Sequence, residues 1–320
     1  MSVKHQAIVG TVAIEKKTAL KTSLLRHIRK EWKLYSFLII PLIYFIIFKY
    51  VPMLGNVIAF RKYRGGTNLF GTEWVGLQYF RMFMKDPTFW RAFRNNLSLS
   101  VLYLIVRFPL TLIFALLLNE LRRVRLKKFV QTVSYLPHFI SMVIIAGMTK
   151  ELLSMTGPIN TLLAHLGMAK ITFISLPEWF PTIYVASGIW QGLGWGTILY
   201  LAAMTGINTD LYEAARVDGA NRLRLAWHVT IPGILPTIMT LLILDIGGIM
   251  GSNFEKILLL YNPLTYQSAD VISTYVYRMG ITGGNFSFAT AVGLFEGVIG
   301  LILVTTANYI SKKTTKSSLW

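Results

Sequence analysis

Long apolar blocks alternate with short polar connectors along this chain. Six blocks approach the ~20 residues needed to cross a hydrocarbon layer: approximately 34–59, 96–119, 129–151, 181–204, 234–261 and 288–311. The fifth is the least regular, because Asp245, Gly247, Gly248, Gly251 and Glu255 interrupt it. The pattern predicts an all-α integral membrane protein with six transmembrane helices, forming one domain over 34–311. No internal repeat or second soluble domain stands out. Residues 312–320 form a polar tail.

Before the first block, Leu20, Leu24, Leu25, Ile28 and Trp32 recur at helical spacing among Lys17, Lys21, Arg26, Arg29, Lys30 and Lys33. Residues 1–33 therefore read as a basic amphipathic helix lying on membrane lipid at an anionic inner leaflet. A cleaved signal peptide is not expected, since the following apolar run is of full span length and lacks a small-residue cleavage site.

Composition agrees with a membrane solvent: 54% of the 320 residues are hydrophobic and only 14% charged, against about a quarter charged in soluble domains. With the N-terminus inside, the inner segments hold nineteen Lys/Arg and the outer ones nine, which favours an N-in, C-in topology. The basic run Arg122-Arg123-Val124-Arg125-Leu126-Lys127-Lys128 carries most weight. The net charge of +18 then reads as topogenic rather than as a nucleic-acid surface, and no nucleic-acid partner is expected. The absence of cysteine excludes disulfides, thiol catalysis and cysteine-bound metal.

The first outer loop, 60–95, departs from the charge rule. Arg61, Lys62, Arg64, Arg81, Lys85, Arg91 and Arg94 accompany only Glu73 and Asp86. Asp86-Pro87 predicts a helix N-cap and first-turn proline. Phe80, Phe83, Phe89, Trp90 and Phe93 suggest helices lying at the interface. The basic residues either meet lipid headgroups or form an electropositive rim, centred on Arg61, Lys62 and Arg64, for an acidic sugar or a docking protein.

Between the fourth and fifth blocks lies a polar insert at about 205–233. Asp210 is placed to cap a short helix, with Glu213 three residues on in a capping-box arrangement. Ala214 and Ala215 keep that helix slim, Asp218 follows, and Gly219 supplies the backbone freedom that ends it. Pro232 closes a second short helix. Such an element suits insertion into another protein's cleft.

Within the blocks, Trp190, Gln191 and Trp195 offer stacking faces and hydrogen-bonding groups among alternating glycines, the two things a sugar requires. Ser252 and Asn253 are candidate pathway residues, whereas Asp245, Arg107, Lys150 and Glu296 read as structural ion-pair formers. Glu255 and Lys256 are sequence neighbours and must point apart. His138 stands alone, and the other histidines show no metal-ligand spacing. No catalytic motif is present, nor a phosphate-binding G-x-x-x-x-G-K-[ST] loop. If transport is active, a partner must supply the energy.

The spacing Glu213-Ala214-Ala215, three residues, Gly219, nine residues, then Val229-Thr230-Ile231-Pro232 resembles the loop of binding-protein-dependent ABC importer permeases that docks on the ATPase. Trp74-Val75-Gly76-Leu77, Asp86-Pro87-Thr88-Phe89-Trp90, Asn119-Glu120-Leu121, Ser134-Tyr135-Leu136-Pro137-His138-Phe139 and Leu260-Tyr261-Asn262-Pro263 are similar to the oligo- and polysaccharide branch of the sugar importers, with alginate permeases the nearest resemblance. The family implies the type I, MetI-like permease fold in a bacterial cytoplasmic membrane. Its partners would be a second homologous permease, a dimer of ABC ATPase subunits, a periplasmic or tethered solute-binding protein and an oligo- or polysaccharide. The chain itself would bind no cofactor; ATP and Mg would be used by the ATPases. The basic first loop fits an acidic, alginate-like substrate. Other readings are a permease for neutral plant-wall oligosaccharides, an intramembrane enzyme using Asp245 or Glu255, and a receptor; the last two leave the Glu213 loop without a purpose.

Overall fold

A computed structural model describes residues 30–63, 65, 68, 70–251, 253–315 and 319. Most of the amphipathic segment expected over 1–33, together with Arg64 and Ser252, lies outside the described residues. The chain divides into two units, Met1–Val57 and Ile58–Trp320.

In the first unit, α1 (Trp32–Phe45) continues through a π-helical turn, Ile46–Tyr50, into Val51–Met53. Lys33 and Lys49 are its only charged residues, and Pro41 lies inside the helix. A proline is tolerated in such an apolar helix where local adjustment re-satisfies the freed carbonyl.

The second unit opens with a two-residue antiparallel hairpin, β1 (Arg61–Lys62) on β2 (Glu73–Trp74). After α2 (Gln78–Met84) comes α3, Pro87–Glu120, an unbroken 34-residue helix about 51 Å long at 1.5 Å per residue. Its start is as the sequence predicts: the Thr88 N–H donates to the Asp86 side chain at 2.8 Å, with Pro87 at the first position. Phe89, Trp90 and Phe93 do not lie on separate interfacial helices; they occupy the first turns of α3 itself.

The third apolar block is not one straight helix. It forms α4 (Val124–Tyr135), a 3-10 turn at Leu136–Phe139, and α5 (Met142–Leu152), bent by 100°. Pro137 removes an amide donor, and Ile140 and Ser141 are extended, so the α-helical ladder cannot continue. The Ser141 hydroxyl caps the next piece, accepting from the Ile144 N–H at 3.4 Å. After α6 (Pro158–His165), α7 (Phe180–Thr205) packs along α3 in the most extensive helix contact of the fold. α4 crosses α7 at Gly194, where a Cβ would stand 2.2 Å from the Ser134 carbonyl oxygen. The two backbones touch there.

The polar insert forms α8 (Thr209–Val217) and α9 (Arg222–Gly233). A π-helical turn over Ala226–Thr230 widens α9 just before Pro232, letting the proline sit inside the helix. The chain turns two residues later than Pro232, at Ile234, where α10 (Leu235–Gly247) leaves at 68°. The fifth block also breaks: α10 ends at Gly247 and the chain is helical again only in α11 (Phe254–Leu260). Then come a single turn at Tyr266–Ala269, α12 (Ile272–Val276) and the long α13 (Phe286–Thr315).

By length and composition α1 with its extension, α3 and α13 can cross a membrane, and the two bent pairs raise that number to five. α7 is 26 residues long, enough at about 39 Å, but its glycines, tryptophans and glutamine lower its hydropathy.

The loops gather at two ends. At one, the Tyr275 hydroxyl donates to Asp86 at 2.6 Å, and the Asn95 amide donates to the Asp270 and Gln267 carbonyls. Phe83, Phe89, Tyr275 and Phe288 form the aromatic core beneath them. Burial pushes the Asp86 carboxyl up, but the hydrogen bonds from Tyr275 and Thr88 outweigh it and hold the group below the usual carboxylate range. Buried Asp270 receives both ends of the Arg278 guanidinium, at 2.7 and 3.1 Å, and the Thr274 hydroxyl at 2.9 Å. The opposite end holds the Glu120 turn and the α8–α9 insert.

Because the α4–α7 crossing is backbone against backbone, Gly194→Ala is expected to cost about 1–3 kcal/mol through overpacking. A lowered unfolding midpoint in detergent should report it, and an unchanged midpoint would contradict the contact.

Candidate functional site

One face of α3 carries Ser100, Tyr103, Arg107 and Thr111, spaced at helical intervals through an otherwise apolar stretch. These residues line two adjoining cavities of about 350 and 460 Å³. Arg107, Leu244 and Asp245 border both. The smaller one is completed by Tyr184 and by the break of the fifth block, through Gly248, Gly251 and Asn253. The larger one is bounded by Trp195, Leu199 and Tyr200 of α7.

The chemistry of these clefts is mixed. Arg107 Nη1 donates to Asp245 Oδ1 at 3.2 Å, and both side chains remain about 30% exposed (27% and 32%). The guanidinium lies 5.6 Å from the centroid of the Tyr103 ring. Trp195 stacks on His138, ring centroids 4.4 Å apart and planes 5° from parallel, so the break of the third block sits against the larger cavity. Aromatic faces, a forked cation, hydroxyls and an amide therefore surround the same space. A cleft with such a lining suits a polyhydroxylated ligand.

Buried side chains hold the fifth-block break. The Asn96 amide, fully buried, donates to the carbonyls of Ile249 and Met250 at 3.1 and 3.2 Å. Lys256, 2% exposed, donates to the Tyr184 carbonyl at 2.8 Å and lies over the Tyr184 ring at 4.9 Å. Glu255 points the other way and is exposed, as expected of sequence neighbours on a helix.

The expected pathway residues divide. Trp195 and Asn253 line the cavities, while Trp190 and Gln191 line neither; Trp190 is exposed and Gln191 half-buried. Asn253 also caps α11, accepting from the Lys256 N–H at 3.3 Å. Ser252 lies outside the described residues. Arg107 and Asp245 pair as expected, but Lys150 and Glu296 make no ion pair among the described residues. Ser100, Tyr103, Thr111 and Tyr184 were not expected at this site. The 3-4-4 spacing from Ser100 to Thr111 was the available signal.

The polar insert is a second candidate site. Asn208, not Asp210, caps α8: its side chain accepts from the Asp210 N–H at 3.0 Å. Asn208 is extended and Thr209 is already helical, so Asp210 falls in the first turn. There its charge still favours the helix N-terminus, but the expected capping box with Glu213 does not form. The other end matches expectation. Gly219 has φ +79°; its N–H bonds to the Arg216 carbonyl and that of Ala220 to Ala215, the paired bonds of a Schellman ending. Asp210, Glu213, Ala214, Asp218 and Gly219 are exposed and Ala215 is half-buried. The Tyr212 hydroxyl meets Thr230 at 3.0 Å, bracing α8 against the π turn of α9. Glu213 also borders a cavity of about 630 Å³ shared with Glu120, Arg122, Arg216 and Arg222. Val217, Leu223 and Trp227 are 88%, 81% and 70% exposed, an apolar set on the surface of the insert.

At the opposite end, Arg61 and Lys62 are engaged inside their hairpin. Arg61 donates to the Phe70 carbonyl at 3.4 Å, and Lys62 pairs with Glu73 at 3.9 Å.

Residues 107–316 match the family described as the binding-protein-dependent transport system inner membrane component. The chain belongs to that family. This permease is 46% identical to Protein LplB of Bacillus subtilis, over 91% of its own length and 92% of that protein. It is 44% identical to the polygalacturonan/rhamnogalacturonan transport system permease protein YteP of the same organism, over 98% and 97%. It also resembles a chain of the bacterial alginate ABC transporter solved in complex with an alginate pentasaccharide-bound periplasmic protein. There the TM-score is 0.84 and the identity 42%, over 92% of this permease and 99% of that chain. The all-helical permease fold expected from the sequence is thus the observed one.

Replacing Asn96 by Leu would leave the Ile249 and Met250 carbonyls without their donor. The expected cost is about 1–3 kcal/mol for each buried group left unsatisfied. Faster hydrogen exchange or proteolysis at 248–253 should follow, and wild-type protection there would refute the role of this amide.

Proposed function

We propose that this permease is one of two related transmembrane subunits of an ATP-driven sugar importer, and that its cargo is an acidic oligo- or polysaccharide. The observation that carries this reading is its near full-length similarity to two permeases whose named cargoes are polyuronate-containing, polygalacturonan/rhamnogalacturonan and alginate. Both cargoes present ring faces and carboxylates. The mixed aromatic and cationic lining around Arg107, Trp195 and Asn253 suits that chemistry.

In this reading six segments cross a bacterial cytoplasmic membrane, N-in and C-in, and the α8–α9 insert faces the cytoplasm. A solute-binding protein delivers sugar at the Asp86 end. Arg61, Lys62 and Arg64 contribute to the rim that meets it. A dimer of partner ATPases binds and hydrolyses ATP with Mg, and this chain holds neither. Asp210, Glu213, Ala214, Ala215, Asp218, Gly219 and Pro232 form the element that docks on an ATPase, with Val217, Leu223 and Trp227 as its apolar contacts. Exposed apolar residues on an otherwise polar loop mark a protein-binding surface. Closure of the ATPases moves α8, and the Tyr212–Thr230 brace passes that motion through α9 to α10, which borders the cavities. Of the expected pathway residues, Trp195 and Asn253, which line the cavities, lie along the route; Ser252 is assigned to it from the sequence alone.

The test is mild-detergent purification of the tagged complex from its host, then uptake of labelled oligogalacturonate and oligoalginate in proteoliposomes with the co-purified binding protein. ATPase, second permease and saturable acidic-sugar uptake are expected. A chain that purifies alone, or a complex that moves only neutral sugars, would overturn the reading. Gly219→Asp places a side chain at φ +79° on the docking element, at about 1 kcal/mol of strain. It should insert normally yet lose ATPase co-purification and uptake, and wild-type levels of both would remove the insert from the docking role.

A further inference from the structure

Two ion pairs on the helical scaffold differ in a way that bears on specificity. Asp270 is fully buried, grips Arg278 through both oxygens and takes a third bond from Thr274. Its carboxylate is sealed, although Arg278 itself is 30% exposed. Arg107 and Asp245 share a single contact at 3.2 Å and remain open to two cavities. Arg107 Nε is buried and without a hydrogen-bond partner. A guanidinium has five N–H donors arranged to grip a carboxylate at two points. Here one of the five meets an acid.

We infer that Arg107 is the carboxylate-recognising residue of the translocation path, held ready by Asp245, and that a uronate carboxylate of the passing sugar displaces Asp245 from it. The inference rests on the reading of this chain as an importer of acidic sugar. Geometry favours the exchange. Arg107 borders both cavities, so a carboxylate entering from either meets the same group. Tyr103 flanks the cation, and Trp195 of the larger cavity presents a ring face to the sugar, while Ser100, Thr111 and Asn253 can serve its hydroxyls. Asp245 compensates the cation whenever the path is empty, because an uncompensated guanidinium at this depth is costly. It returns to Arg107 as the sugar leaves, so the grip stays transient. Arg107 keeps one carboxylate partner throughout and no proton moves; the site gains the sugar's single negative charge, and the displaced Asp245, already 32% exposed, stays ionised in the open cleft.

The experiment compares Arg107→Gln and Asp245→Asn in the complete complex, reconstituted with its binding protein and assayed for uptake of a uronate oligosaccharide. Arg107→Gln should lower uptake at sub-saturating sugar roughly tenfold or more, the loss of charge-assisted hydrogen bonds. Asp245→Asn breaks the same pair but frees the arginine, so the half-saturating concentration should fall or stay unchanged. A merely structural pair requires the two variants to fail alike, and that result would overturn the inference, as would wild-type uptake by Arg107→Gln. Should Arg107→Gln not assemble, the double variant Arg107→Gln/Asp245→Asn removes both charges together. Assembly with acidic uptake lost supports the inference; assembly with uptake intact, or failure to assemble, overturns it. If wild-type complex moves no acidic sugar, the proposed function itself falls, an outcome distinct from every variant result.

Discussion

Inside a hydrocarbon layer every backbone amide and carbonyl must find a partner within the protein. Two of the apolar blocks of this permease nevertheless leave the helical ladder, and the rest of the structure is arranged around those departures. At the fifth-block break, Asn96 reaches from α3 to two freed carbonyls and Asn253 caps the resumed helix. Lys256 spends its charge on a carbonyl and a ring face of α7. At the third-block break, Pro137 has no N–H that needs an acceptor and Ser141 supplies a cap. Irregular backbone is tolerated where it is buried in protein or lines a cavity, and here the fifth-block break does the latter. The smaller cavity is lined by the fifth-block break, and that break is held by the Asn96 amide from α3 and by the Asn253 cap.

Electrostatics divides along the same line. Toward the Asp86 end, charged groups are locked: Asp270 is sealed by three donors, and Asp86 caps α3 while accepting from Tyr275. Such groups fix the positions of the elements they join. Midway along α3 the Arg107–Asp245 pair is single-contact and partly exposed on both sides. The same two residue types thus form a triply bonded carboxylate in one place and a single-contact pair in another. Burial of the carboxylate and the number of bonds it accepts distinguish them.

Much of this was legible in the sequence. The N-cap at Asp86-Pro87 was legible, although not that its helix runs on into the second block; the limits of α7 followed from its apolar length and the end of α8 from Gly219, because each is set by local chemistry. The breaks were not. A window of apolar residues has the same composition whether straight or bent, and the bent segment at Pro137 packs on α7 through contacts far away in sequence, Ser134 on Gly194 and His138 on Trp195. The cap of α8 was misread by two residues because Asp210 and Glu213 mimic a capping box; the choice of Asn208 rests on where the chain leaves extended geometry. Arg61 and Lys62 looked free because the hairpin that engages them is only two residues long on each side. The cavity residues of α3 were visible as a polar stripe in an apolar helix, a pattern obscured when the block is read only for its mean hydropathy.

The crossing of α4 over α7 at Gly194 carries a mechanical consequence. Side-chain interfaces can slide, since rotamers give way by fractions of an ångström, but two backbones in contact have no such slack. The Ser134–Gly194 point therefore acts as a fulcrum: α4 and α7 can tilt about it, but not translate through it. Trp195 and His138 sit within a few residues of that point, so even a small tilt changes the angle between the indole and whatever shares the cavity with it.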